Sequence, residues 1–175
     1  MMMTPGVRKF GLTVHVSSSV GWFGSVGAFL ALAISGLTSQ DTQVVKAVYL
    51  AMNLIGWSVI VPLSLAALLT GVVQSLGTPW GLFRHYWVVI KLLISVFATI
   101  LLLFHMQPVG HLARVVAATT LASGELAGLR IQLVADAGAA LVALLVAATL
   151  SVYKPRGLTK YGHRRQRAES TARRP

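Results

Sequence analysis

The sequence predicts an all-α integral membrane protein, a four-helix bundle with both termini in the cytoplasm. Three observations predict it. Apolar residues make up 55% of the 175-residue chain and charged ones 11%, too few to solvate a globule around so large a core. Four apolar runs, at about 11–37, 47–73, 84–106 and 129–153, each supply the roughly 20 residues that cross a bilayer as a helix. The cations also sort by side. Arg8 and Lys9 precede the first run, Arg84 lies between the second and third, and Lys154, Arg156, Lys160, Arg164, Arg165, Arg167, Arg173 and Arg174 follow the fourth. Only Lys46, Arg114 and Arg130 fall in the other two connections, so the positive-inside rule puts both ends in the cytoplasm. Single introduced cysteines would report this orientation cleanly, because the chain has none of its own.

The first run follows a start with only two cations. It is too long for a signal-peptide core and lacks an Ala-x-Ala-like site, so it stays as a helix. Ser17, Gly21, Ser25 and Ala28 form a small-residue stripe along it, spaced by four and three, where a second copy or another membrane protein could approach. In the second run Pro62 cannot donate to the Ser58 carbonyl, which predicts a kink. Gly77, Pro79 and Gly81 break the chain before the third run, and Trp80, Tyr86 and Trp87 form an interfacial belt there. From Gln107 to about Gly128 the chain reads as a loop carrying a short interfacial helix, HLARVVAATTLAS. The segment 154–175, almost without apolar residues, reads as a disordered tail attracted to anionic headgroups. No internal repeat or second domain is evident.

The cation distribution that fixes topology also argues against nucleic acid as a partner, leaving the bilayer and a membrane-protein or homo-oligomeric contact. An alanine-rich composition and an arginine-rich tail point to a GC-rich genome and a bacterial inner membrane. Without cysteine there are no disulfides, thiolate metal sites or cysteine nucleophiles. No Walker loop, GxSxG elbow or HExxH motif appears, and acidic residues number four. The chain therefore does not read as an enzyme of those classes.

Polar groups at membrane depth are costly, which singles out His15, Asn53, Lys91, His105 and Asp136. At 1.5 Å per residue, His15 and Lys91 lie at similar depth, roughly 6–8 Å inside the cytoplasmic boundary. Lys91 and His105 share a helix face but stand roughly 21 Å apart along it, so one small site cannot hold both. His105, Met106 and His111 form an outer group whose imidazole and thioether donors suit copper. Asp136 reads as an interhelical acid bonded to Asn53 or Gln132. Lys91 could equally snorkel toward headgroups. His85 reads as interfacial and His163 as solvated.

The segment HVSSSVGWFG, with His15 seven residues before Trp22, resembles the first helix of a loose group of small polytopic families. These are the copper-resistance D-type membrane proteins, the HemJ-type protoporphyrinogen oxidases and several uncharacterised predicted integral membrane families. Pro62 followed by Gly71, and WVVIK with Trp87, Lys91 and a later His105, are also similar. The resemblance covers about the first 105 residues. It implies a b-type haem associated with His15 and Lys91; the residues read alone fit equally a structural or transport-related membrane subunit without a cofactor. Where the oxidases carry a basic residue late in the first helix this chain reads FLALAISGL, so the resemblance extends to haem binding and not to the oxidase reaction.

Overall fold

A computed structural model describes residues 3–77, 81–118, 125–155 and 157–171. It is all-α, with four helices long and apolar enough to cross a membrane. Helix α1 (Pro5–Thr38) starts with proline at its first position, where the missing N–H costs nothing. Ser39 ends it, and Asp41 begins the next helix by accepting a 2.8 Å hydrogen bond from the Gln43 N–H.

The second span is α2 (Thr42–Ile55), a π-helical turn (Gly56–Ile60) and α3 (Val61–Gly77). Pro62 predicts a kink, and the chain meets the same constraint with this π turn, in which the Val61 N–H reaches back to Gly56 O. The wider turn leaves Gly56 flush against Met106: a Cβ there would come within 2.5 Å of Met106 Cε.

Helix α4 (Tyr86–Ala118) runs on through Pro108. The loop expected from Gln107 is therefore helical to Ala118, because membrane helices tolerate an internal proline. Residues 119–123 of the expected interfacial helix lie outside the described residues, as does Trp80 of the expected aromatic belt. Helix α5 (Glu125–Tyr153) completes the bundle. Part of the tail, expected to be disordered, forms α6 (Lys160–Thr171). Thr159 explains how it starts: its hydroxyl accepts from the Gly162 N–H at 3.1 Å.

Helix α1 packs on the second span and on α5, and α4 packs on the same two neighbours, so α1 and α4 stand diagonally opposite. On α1 the inward seam runs through Gly11, His15, Ser18, Trp22, Val26, Phe29, Ala33 and Gly36, a three-four spacing like that of coiled coils. The opposite pattern holds outside. Ile90, Leu93, Phe97, Ile100 and Phe104 line an exposed stripe of α4, as a lipid-facing surface requires. Of the small-residue stripe on α1, Gly21 is taken within the chain by Leu63, whereas Ser17 and Ala28 remain exposed.

Two apolar clusters fill the middle. One joins Trp22, Val26, Ile60, Ala67 and Leu144; the other joins Ala33, Tyr49, Met52, Met106, Val109, Leu112 and Leu133. Polar residues sit at either end of this packing. The end that gathers the start of α1, the end of α3, the start of α4 and the tail carries most of the cations, and is called the basic end below. Gln74 Nε2 donates to Arg8 O there at 3.1 Å, closing α1 onto α3.

Candidate intramembrane polar site

At the basic end the face of α3 that meets α1 presents Ala67, Thr70, Gly71 and Gln74, spaced as one side of a helix. His15 enters this face. Its Nδ1 lies 3.1 Å from Ala67 O and 3.1 Å from Thr70 Oγ1. A carbonyl only accepts, and the Thr70 hydroxyl hydrogen is committed to Ala66 O at 2.5 Å. Nδ1 therefore carries the proton and donates to both.

That assignment leaves Nε2 with its lone pair. Lys91 Nζ, reaching from α4 across the bundle axis, stands 3.3 Å from it and donates. Gly71 makes the room, since a Cβ there would stand 3.1 Å from His15 Cε1. The expectation that His15 and Lys91 share one layer is thus met by direct contact. A histidine with Nδ1–H tied to a backbone carbonyl, and Nε2 turned to a side chain of another helix, shares the Nδ1–H anchoring of metal-ligating imidazoles.

The second polar site lies near the opposite end, between neighbouring helices. His105 Nδ1 is 3.2 Å from Leu101 O on its own helix, and Nε2 is hydrogen-bonded to Asp136 Oδ2 on α5. Asp136, expected to bond Asn53 or Gln132, takes His105 instead; Asn53 Oδ1 lies toward Gly110. The pair is partly open to the surroundings, 19% for His105 and 31% for Asp136, and so is not sealed in the core.

The three residues considered for copper do not face one another. Met106 is buried against Gly56, His105 turns to Asp136, and His111 is exposed. Among the described residues no group of three or more His, Cys, Asp or Glu gathers as a metal site.

Sequence reasoning missed the supporting side chains on α3. Thr70 and Ala67 carried no signal by themselves, although Thr70, Gly71 and Gln74 on one face of an apolar helix could have marked it as facing a polar partner. It also missed Tyr49 and Arg130. Tyr49 is fully buried with an unpartnered hydroxyl, and the Arg130 guanidinium stands 5.7 Å from its ring centroid, within cation–π range. The apolar cluster that includes Trp22 and Ile60 lies between the two histidine sites. No family model, curated protein or solved structure matches the chain.

Proposed function

We propose that the chain is a membrane protein that binds a b-type haem at its basic end, where His15 Nε2 would ligate the iron and Lys91 would be its partner. The observation that carries this reading is the fixed tautomer of His15: two acceptors on α3 hold Nδ1–H, so Nε2 keeps its lone pair as an acceptor. Lys91 faces that lone pair at 3.3 Å from the diagonal helix. It would serve either as a second ligand, in its neutral form, or as a charged partner of a propionate. When bound, haem supplies one-electron redox chemistry at iron. The chain's own residues orient the imidazole, set its tautomer and keep a cation beside it, while the Trp22 cluster shields the layer on its inner side.

The absorption spectrum of protein purified in detergent after expression with ample haem tests this. Wild type should show a Soret band, and His15→Ala should abolish or shift it, because Ser18 and Ser19 offer no strong-field replacement. Lys91→Arg keeps the charge but ordinarily cannot ligate iron. A spectrum unchanged in Lys91→Arg and altered in Lys91→Ala identifies a propionate partner, whereas equal change in both identifies a ligand. Absence of a Soret band from wild type would leave His15 and Lys91 as a tie between diagonal helices and would sink the haem reading.

A further inference from the structure

The tail is fastened to the turn before α4 by backbone and side-chain bonds. Tyr86 N–H donates to Gly157 O at 3.3 Å, Thr159 N–H to Arg84 O at 3.0 Å, and the Thr159 hydroxyl to Phe83 O at 2.5 Å. Leu158 forms an antiparallel bridge with His85. Gly162, one turn into the tail, lies so close to the Arg84 carbonyl that no side chain fits there. A glycine at this position lets α6 dock backbone to backbone.

Docking through Gly162 fixes which way α6 faces. At about 100° per residue, Lys160, Arg164 and Arg167 fall within an arc of about 60°, and each stands about 140–160° from Gly162. All three are exposed. The tail therefore presents a cationic stripe turned away from the bundle, held at fixed height.

That height is the headgroup region. Helix α5 ends at Tyr153, α6 begins seven residues later, and its tether reaches Tyr86 in the first turn of α4. Tyr86, Tyr153 and Tyr161 are all exposed here, the arrangement of an interfacial aromatic belt. Water-facing cations would serve an acidic soluble partner equally well, but a stripe placed beside exposed tyrosines at the end of the spans favours lipid phosphate.

We propose that α6 is a docked anionic-phospholipid site, in which Lys160, Arg164 and Arg167 hold the phosphate of a negatively charged headgroup in the leaflet at the basic end. Native mass spectrometry of the full chain offered equal phosphatidylglycerol and phosphatidylcholine tests it. Wild type should retain phosphatidylglycerol in preference by about tenfold or more. Combined Lys160→Gln, Arg164→Gln and Arg167→Gln should remove most of that preference; these side chains are exposed, so the bundle should stay folded. Gly162→Val keeps every charge but dislodges α6, and should lower the preference as well. Millimolar inorganic phosphate should not displace the lipid. An unchanged preference in either variant, no preference in wild type, or displacement by inorganic phosphate would overturn the assignment.

Discussion

The two histidine sites are built alike on one side of the ring and oppositely on the other. In both, Nδ1–H is spent on a backbone carbonyl, Ala67 O for His15 and Leu101 O for His105, so that Nε2 faces a side chain of another helix. His15 meets a donor, Lys91, and must keep its lone pair. His105 meets an acceptor, Asp136, so one proton is shared between them and Nε2 has no lone pair to offer unless that proton resides on the carboxyl. The sign of the partner, not the histidine, decides how each imidazole is held: His15 keeps an acceptor nitrogen, whereas His105 is engaged in an interhelical bond to a carboxylate. Placement differs too. The His15 layer joins diagonal helices across the axis, whereas His105 and Asp136 join neighbours beside the larger apolar cluster.

This comparison can be broken most forcefully in the packing beside the His105 site. Tyr49→Ala removes a fully buried ring and should cost about 3–5 kcal/mol in unfolding from mixed micelles. Tyr49→Phe should cost nothing or stabilise slightly, because the hydroxyl has no hydrogen-bond partner to lose. A large loss in the phenylalanine variant would mean that the hydroxyl is satisfied after all.

The same one-carbon addition at each end gives a finer contrast. Gly56→Ala drives a Cβ to within 2.5 Å of Met106 Cε in a buried cluster and should cost about 1–3 kcal/mol, relieved when combined with Met106→Ala. Gly71→Ala meets His15 Cε1 at 3.1 Å, a milder contact. Its unfolding cost should stay under about 1 kcal/mol, and a haem held by His15, as proposed above, should show a shifted Soret band as the imidazole is displaced. Equal destabilisation at both glycines would erase the distinction between a packed end and a polar one.

The smallest expected effects concern the pairs themselves. Double-mutant cycles should give a coupling of about 1–1.7 kcal/mol for His105 with Asp136 and about 0.6 kcal/mol for His15 with Lys91, because a bond to a carboxylate is stronger than a 3.3 Å contact to an imidazole lone pair. A larger coupling for the lysine pair would make that contact the main tie of the bundle.

Much of the architecture was legible in the chain because hydropathy acts over whole segments. Twenty apolar residues in a row leave the backbone no option but a spanning helix, whichever neighbours it finds. Depth was legible for the same reason: a fixed rise per residue put His15 and Lys91 in one layer and His105 in another. What the chain could not disclose was anything decided by rotation and by the other helix. Asp136 could be ranked as an interhelical acid, but His105, 31 residues away in sequence, became its partner only once α4 and α5 were packed side by side. Thr70 looked like an ordinary hydroxyl in an apolar helix until His15 turned toward it. Pro62 announced a lost hydrogen bond, yet the π turn that precedes it, with Gly56 against Met106, became visible only in the packed helix. The tail, read as too polar to fold, gained its helix from the Thr159 cap and the side-chain-free face of Gly162 against the Arg84 carbonyl. Composition and periodicity along one strand of sequence determined how many helices there are and how deep each polar group lies. Contacts between segments distant in sequence decided the partners, since a hydrogen bond depends on a few tenths of an ångström that no single helix can set alone.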